Sequence, residues 1–157
     1  MHIRRWGAAV GPVVAAAGLG GVGARNAPET YRRLVKPGWA PPAGAFGPVW
    51  SALYLGIGAA GWRLSRSAST TTKRLHLTQL ALNAAWPVVF FSVRDKRSSL
   101  VVIALLDGAL TAEIVRLRRE DPGAAVLLLP YLAWTCFATA LNAAVSDPAD
   151  QAPPEVV

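Results

Sequence analysis

Aromatic and amide side chains recur at helical spacing in three stretches of the chain. In the first, Phe46, Trp50 and Tyr54 follow one another every four residues and therefore share one helix face. Residues 79–90 and 131–142 repeat the pattern, and each combines aromatic rings with an asparagine. Aromatic rings can stack on a flat apolar molecule, and amides add a few directed hydrogen bonds. The three faces together predict the walls of a binding cavity.

A proline-rich stretch precedes the first aromatic face. Lys36-Pro37 and Pro41-Pro42 cannot lie inside a continuous helix, because proline fixes φ and has no N–H to donate. With Trp39 held between them, these prolines predict a stiff loop over residues 25–45 that covers the cavity as a lid.

Asn83 and Trp134 are polar groups that lie well inside apolar stretches. Pro87 removes the intrahelical partner of the Asn83 carbonyl, four residues earlier. Two interpretations of Asn83 stay open, namely a link between helices beside a kink or a polar patch inside a cavity. The Trp134 indole needs a partner for its N–H, either another helix or a ligand.

Two carboxylates lie in a further apolar stretch. Asp107 is in its middle, where an ionisable group is a functional candidate. It can be protonated, bind Thr111 one turn on, or face another helix. Glu113 lies on a different helix face, and we predict that it serves structure by reaching Arg116 or the membrane interface.

The sequence lacks the residues that several classes of catalytic and metal-binding site require. Two histidines and one cysteine cannot build a structural zinc site, and no metal site is predicted. The sequence contains no GxSxG, Walker A or GxGxxG signature, and no Ser-His-Asp set stands out.

The elements that must hold these residues are apolar and long. The chain has 157 residues, a mean hydropathy of +0.34, and charges gathered between five apolar stretches. Each stretch is long enough to cross a hydrocarbon core of about 30 Å as a helix. The sequence predicts an all-α integral membrane protein, a five transmembrane helix bundle in a single domain over 1–145. The predicted spans are 7–24, 46–64, 75–93, 98–115 and 123–145, followed by a disordered acidic, proline-rich tail over 146–157.

The net charge of +7 lies in the segments that flank the spans. This placement favours contact with lipid headgroups over binding of nucleic acid. Lys and Arg are slightly more frequent on the side that holds the N-terminus, which predicts a cytoplasmic N-terminus. Residues 7–24 mimic a signal sequence, but their length and the spans that follow favour a retained first helix.

Motifs in three separate segments carry a family resemblance. They are Tyr31-x-x-Leu34-x-Lys36-Pro37 with Phe46-Gly47-Pro48-Val49-Trp50, then Gln79-Leu80-x-Leu82-Asn83-x-x-Trp86, then Pro130-Tyr131-x-x-Trp134. Together they resemble the TspO/MBR family of tryptophan-rich sensory proteins, related to the mitochondrial translocator protein. The resemblance covers roughly residues 7–145.

The resemblance implies a five-helix membrane bundle, commonly a homodimer, whose pocket is closed by the loop between the first two helices. It implies porphyrins or haem-pathway intermediates as ligands and no required cofactor. Carried over residue by residue, the ligand-binding positions would be Tyr31, Pro41, Trp50, Tyr54, Asn83, Phe90, Trp134, Ala138 and Asn142. Thr30 departs from the family pattern, in which many members have tryptophan, and this removes one aromatic ring from the loop.

The predicted function is that of a membrane protein, in a bacterial cell membrane, that binds tetrapyrroles as a sensor, scavenger or transporter. Arg32, Arg33 and Lys36 are candidate partners for the propionates. The alternative is an enzyme that breaks down porphyrin with light and oxygen through indole radicals, for which the resemblance points to Trp50 and Trp134. We prefer the non-enzymatic interpretation because no conventional acid–base pair appears. A regulatory protein with a vestigial pocket stays open as a third interpretation.

Overall fold

A computed structural model describes residues 2–146, with side chains from Gly11 onward except at Ser67. This part of the chain is helical and contains no regular strand; Val35 and Ser146 form an isolated antiparallel bridge. A π-helical segment, Val88–Val93, continues the fourth helix. The six α-helices are α1 (His2–Gly23), α2 (Ala27–Arg33), α3 (Phe46–Ser67), α4 (Thr70–Pro87), α5 (Lys96–Glu120) and α6 (Pro122–Ala144).

The five long helices pack in a closed ring. Around it, α1 contacts α4, α4 contacts α5, α5 contacts α6, α6 contacts α3, and α3 returns to α1. Apolar side chains from these helices form one core cluster, with Ile57, Leu110 and Leu128 among its fully buried members. A ring of this kind leaves space at its centre wherever the inward residues are small.

Each predicted span overlaps one of the five long helices, and the third also includes the π-helical segment, but the helix count differs from the prediction. The described chain has six α-helices, because α2 forms within the stretch predicted as a loop lid. Pro28 begins α2 favourably, since proline is preorganised for the first helical turn. By length and composition, two described helical stretches can cross a membrane, namely Ala43–Arg66 and Pro122–Ala144. Most of the predicted tail, 147–157, lies outside the described residues.

Acidic and hydroxyl side chains fix the starts of the later helices. Ser69 accepts a hydrogen bond from the Thr72 amide, and Asp95 accepts bonds from the Arg97 and Ser98 amides. Asp121 caps α6 at Ala124 in the same way. These bonds satisfy backbone donors that a helix N-terminus otherwise leaves free.

Pro87 ends the regular α-helix of α4, where the sequence predicts a kink within one span over 75–93. The chain continues as the π-helical segment and stops at Arg94, whose φ of 59° is left-handed. A π-helical turn bonds i to i+5 and so holds more residues than an α-helical turn. The residues after Pro87 therefore face directions that a regular helix would not give them.

Glycine allows two close helix contacts. A Cβ on Gly23 would lie 2.6 Å from Val88 Cγ2, so α1 approaches the π-helical segment at backbone distance. A Cβ on Gly56 would lie 3.2 Å from the Leu127 carbonyl oxygen. Gly56 and the fully buried Ala60 thus serve packing of α3 within the subunit.

Candidate ligand-binding cavity

A cavity of about 380 Å³ lies inside the ring, on the side of the lid. No charged side chain lines it among the described residues. Helices α1, α3, α4 and α6 form its walls, and α2 with the turn before α3 covers it. The lining residues are Ala17, Gly20, Gly21, Ala24, Ala27, Pro28, Tyr31, Ala43, Phe46, Gly47, Trp50, Tyr54, Asn83, Trp86, Pro87, Phe91, Trp134 and Ala138.

Small residues of α1 create the space. Ala17, Gly20 and Gly21 of α1, with Ala24 directly after its end, present little or no side chain to the cavity. A Cβ on Gly20 would already touch the Tyr54 hydroxyl at 3.6 Å. A larger side chain at this position would fill the cavity. This wall is absent from the sequence-based site, because glycine and alanine occur throughout the chain and carry no distinctive signal.

The α3 wall is aromatic, as its four-residue period predicts. Phe46, Trp50 and Tyr54 all line the cavity. The Trp50 ring centroid lies 5.5 Å from that of Tyr54 and 6.2 Å from that of Tyr131. These contacts hold the indole in place before a ligand arrives, which lowers the entropy lost on binding.

Two tyrosines fix the amide of Asn83. The Tyr54 hydroxyl donates to Asn83 Oδ1 at 2.8 Å, and Asn83 Nδ2 donates to the Tyr131 hydroxyl at 2.8 Å. Asn83 therefore joins α3, α4 and α6 and also reaches the cavity surface. Both interpretations left open by the sequence apply to it, namely an interhelical link and a polar patch.

The π-helical segment changes which phenylalanine faces the cavity. The α-helical stripe through Asn83 and Trp86 predicts Phe90, but Phe91 lines the wall instead. The extra residue in a π-helical turn accounts for this shift by one position. Phe90 stacks on Trp86 with centroids 5.3 Å apart and packs in the cluster around Tyr31.

Helix α6 places only part of its predicted face on the cavity. Trp134 and Ala138 line it, whereas Tyr131 is buried behind Trp50. Asn142 lies outside the lining and donates to Ser99 Oγ of α5 at 3.1 Å. The helix face that carries Asn142 thus turns toward α5, a direction that residue spacing alone does not give.

The lid is held by contacts that use its own backbone. The Tyr31 hydroxyl donates to the Pro41 carbonyl oxygen at 2.7 Å, so Pro41 supports the cavity without lining it. Lys36 Nζ donates to the carbonyl oxygens of Tyr31 and Leu34, both at 2.7 Å. Val35 pairs with Ser146 through two backbone bonds of 3.0 and 3.1 Å, which ties the lid to the end of α6.

Known proteins resemble this chain over most of its length. The model of the TspO/MBR family matches residues 8–146. The chain belongs to the TspO/MBR family. It is 41% identical to the human "Translocator protein" over 71% of this chain and 70% of that one. It is 37% identical to the "Tryptophan-rich protein TspO" of Archaeoglobus fulgidus, over 78% and 81% of the two chains. It is 33% identical to the "Tryptophan-rich sensory protein" of Cereibacter sphaeroides, over 73% of each.

Membership confirms the family prediction and the coarse fold class, an all-helical protein of a membrane sensor or transporter family. Within this family fold, six of the nine predicted ligand-binding residues lie on one cavity. Pro41, Phe90 and Asn142 do not line it. The structure adds the glycine and alanine wall of α1, Trp86 and Phe91.

The lid cations are already partly engaged. Arg33 Nε donates to Glu29 at 2.9 Å, Arg32 also pairs with Glu29, and Lys36 is held by carbonyl groups. The hydrogen bond from Arg33 and the positive charge of Arg32 lower the pKa of Glu29. Arg25 is exposed between Ala24 and Ala27, two residues that line the cavity. Arg25 is not among the propionate partners predicted from the sequence.

The two acidic residues of α5 have partners on other helices. Thr139 Oγ1 of α6 lies 2.7 Å from Asp107 Oδ2, so Asp107 faces another helix, which is one of its predicted arrangements. Glu113 is fully buried, and its Oε1 lies 2.8 Å from His76 Nδ1 of α4. The predicted contact of Glu113 with Arg116 or the interface is therefore wrong, since the side chain points inward from α5.

Proposed function

We propose that this protein binds a tetrapyrrole, a porphyrin or haem-pathway intermediate, in the cavity between α1, α3, α4 and α6. The observation that carries the proposal is the set of three indoles, those of Trp50, Trp86 and Trp134, around one uncharged cavity. The volume of about 380 Å³ lies within the range of about 300–1,000 Å³ typical of small-molecule sites. A flat aromatic macrocycle can stack on such rings.

The absence of charge in the described lining favours one orientation of such a ligand in the cavity. Carboxylates are costly to bury without partners, so the propionates must stay at the lid end while the macrocycle enters the cavity. Arg25, Arg32 and Arg33 are exposed at this end. Arg25 is the best placed of them, because the two others already pair with Glu29.

Titration with protoporphyrin IX in the dark, followed by tryptophan emission, tests this proposal. We expect saturable quenching in the wild type and loss of saturation in the Trp50→Ala, Trp134→Ala variant. Trp62→Ala is the matched control, because Trp62 does not line the cavity. Unsaturable quenching, identical in all three proteins, would exclude binding in this cavity.

The biological role that we propose is that of a membrane sensor, scavenger or transporter. The printed names of the relatives, a translocator and a sensory protein, support this range of roles. We also propose that α1, α3, α4 with its π-helical segment, α5 and α6 each cross a bacterial cell membrane, with the N-terminus in the cytoplasm. Cysteine accessibility in intact cells tests both the number of crossings and their direction.

We propose a homodimer as the assembly. Helix α1 presents an exposed face of small residues, Gly11, Ala15 and Gly18, where close helix contact is possible. Gly18→Leu should then raise the fraction of monomer in analytical ultracentrifugation in detergent. An unchanged monomer fraction would place the contact elsewhere.

Breakdown of the porphyrin is the second candidate function. Trp50 contacts two oxidisable rings, Tyr54 and Tyr131, so that an indole radical formed at the cavity has neighbours able to reduce it. The test is illumination of the complex in the presence of oxygen. A new product spectrum supports the enzyme, and bleaching at the rate seen without protein excludes it.

A further inference from the structure

A buried polar stripe runs along α4 from the cavity toward the start of the helix, away from the lid. Thr72, His76, Gln79 and Asn83 follow at helical spacing and share one face. Each of them is at most 6% exposed. At about 1.5 Å per residue, the stripe extends about 16 Å along the helix. So long a row of polar groups is costly to bury unless the groups bind one another or a polar guest.

The two ends of the stripe open to different places. At the outer end, Ser69 is exposed and its hydroxyl lies 3.0 Å from Thr72 Oγ1. Arg116 of α5 donates to the same Thr72 oxygen at 3.3 Å. At the inner end, Asn83 lines the cavity and holds Tyr54. The stripe thus connects the solvent-facing end of α4 with the cavity.

An ionisable pair occupies the middle of the stripe. His76 Nδ1 lies 2.8 Å from Glu113 Oε1 and 3.2 Å from the amide nitrogen of Gln79. Three further polar atoms of the same side chains, His76 Nε2, Gln79 Oε1 and Glu113 Oε2, are buried and have no hydrogen-bond partner among the described protein atoms. The pair therefore has unused capacity to bind a proton.

We propose that His76 and Glu113 form an internal proton-binding site, reached from the Ser69 end of the bundle and coupled through α4 to the occupancy of the cavity. In the deprotonated form, the imidazole carries its single proton on Nδ1 and donates it to the Glu113 carboxylate. The proton gained comes from solvent and binds Nε2. The net charge of the pair then changes from −1 to zero, as an imidazolium faces a carboxylate.

The charges around the pair are few. On α5, Arg116 reaches Thr72 and also pairs with Glu120. On α6, Tyr131 lies within electrostatic range of Glu113 and Asp107, and Asp107 itself binds Thr139. On α4, Lys73 and Arg74 are exposed, and the side chains of α1 from Gly11 onward carry no charge. On α3, Tyr54 lies at the Asn83 end of the stripe and Arg63 pairs with Asp121.

Coupling to the cavity follows from solvation, and this step rests on the proposed function. A ligand that fills the cavity displaces water from the inner end of the stripe. The lower local polarity favours the neutral pair over the pair with a net charge of −1. Negative propionates on the ligand act in the same direction. A filled cavity should therefore raise the pH at which the pair loses its proton.

The histidine content of the chain makes this site directly observable. The chain has two histidines, so a His2→Gln variant retains His76 as its sole histidine. We would label this variant with ¹⁵N-histidine in nanodiscs and record the ring nitrogen shifts from pH 4 to 10. We expect one transition between a neutral ring and an imidazolium. Ring shifts that stay constant over this range would overturn the proton-binding site.

Two carboxylate variants separate the role of Glu113 from a general effect of charge. In the His2→Gln background, Glu113→Gln should lower the transition of His76 by about one pH unit or more, because the carboxylate no longer stabilises the imidazolium. Asp107→Asn is the matched control and should leave it unchanged, since Asp107 binds Thr139 on another face of α5. Equal shifts in both variants would overturn the pairing. Should Glu113→Gln fail to fold, the titration of the parent variant still decides whether the site exists.

Addition of protoporphyrin IX tests the coupling. We expect the transition to rise by about 0.5 pH unit, which by reciprocity corresponds to an affinity about threefold higher at low pH than at high pH. Saturable binding without a shift would overturn the coupling. Failure of the porphyrin to bind at all would instead contradict the proposed function and would leave the proton-binding site to be judged by the titration alone.

Discussion

The two halves of α4 build different interiors in one bundle. The half toward Pro87, with the π-helical segment, presents Trp86 and Phe91 to a cavity. The half that begins at Thr70 presents His76 and Gln79 to Glu113 of α5. The half toward Pro87 encloses space with apolar rings, whereas the half that begins at Thr70 encloses polar groups without a comparable space. Asn83 lies at the boundary and belongs to both.

The difference shows how one helix can serve binding and internal polar contacts at once. The aromatic half tolerates space because small residues of α1 face it and aromatic contacts support its walls. The polar half requires partners for each group, since buried polar atoms without hydrogen bonds are costly. Substitutions in the polar half should therefore reduce stability, whereas substitutions in the cavity half should change binding first.

The largest effect is expected from Glu113→Ala. It leaves a buried nitrogen of His76 without its partner and removes buried side-chain volume, and together these losses should cost about 3–5 kcal/mol. Thermal unfolding in detergent measures the loss. Trp50→Ala in the cavity wall is the comparison, and it should reduce porphyrin affinity more than stability. A smaller stability loss for Glu113→Ala than for Trp50→Ala would break the contrast between the two halves.

The next largest effect is expected at the contact of α1 with the π-helical segment. Gly23→Ala places a Cβ 2.6 Å from Val88 Cγ2 and 2.9 Å from the Val88 backbone nitrogen, so the helices must separate. Overpacking of this kind costs about 1–3 kcal/mol. Gly21→Ala is the matched control, because its Cβ meets nothing within 4 Å. Equal unfolding temperatures for the two variants would show that α1 is not packed so closely there.

A pair of tyrosine substitutions tests the boundary at Asn83. Tyr131→Phe removes the acceptor of Asn83 Nδ2 in a fully buried place and should cost about 1–3 kcal/mol. Tyr54→Phe should cost less, because Asn83 Oδ1 lies beside the cavity and can bind water there. Denaturant unfolding of both variants gives the comparison. The reverse order would place the buried side of the network at Tyr54.

The lid should give a smaller effect. Tyr31→Phe removes the bond to the Pro41 carbonyl, worth about 0.5–1.5 kcal/mol, and should loosen the lid without unfolding the bundle. Hydrogen exchange of residues 35–42 should become faster, while exchange in α5 stays unchanged. Faster exchange throughout the bundle would contradict a locally supported lid.

The smallest effect is expected in how the hydrogen exchange of α2 depends on pH. Arg33 and Arg32 lower the pKa of Glu29, so the carboxylate stabilises the folded lid above its usual pKa and loses this contribution as pH falls through the lowered value. The pair is exposed, so solvent screens it strongly. Glu29→Gln should remove the small acid-dependent change in the exchange of residues 27–33. An unchanged acid dependence would assign it to another group.

Much of this architecture can be predicted from the sequence. The apolar stretches and the four-residue period of Phe46, Trp50 and Tyr54 predict the long helices and one cavity wall, because both depend on local spacing. At Pro87 the sequence predicts a kink, and the regular α-helix ends there. The register of the π-helical segment is not predicted, since the extra residue arises from packing after the proline and moves the wall position from Phe90 to Phe91.

Other parts depend on contacts that sequence spacing does not contain. Asn142 and Trp134 share a helix, yet one faces α5 and the other faces the cavity. From the sequence, Glu113 is predicted to reach Arg116 or the membrane interface. The packing of α5 on α4 instead brings it to His76. The α1 wall is not predicted for a different reason. Glycine and alanine leave space without adding a functional group, so their positions form no recognisable chemical pattern.

The central claim is that a tetrapyrrole occupies the space beside α1, and a pair of glycine substitutions tests it most directly. Gly20 faces the cavity, whereas Gly108 of α5 is exposed, lies outside the lining, and a Cβ there would meet nothing within 4 Å. Protoporphyrin IX titrated in the dark into wild type, Gly20→Leu and Gly108→Leu should show saturable quenching of tryptophan emission in the first and third proteins. It should show none in Gly20→Leu, whose side chain fills the site. Saturable binding with the same affinity in Gly20→Leu would contradict the account.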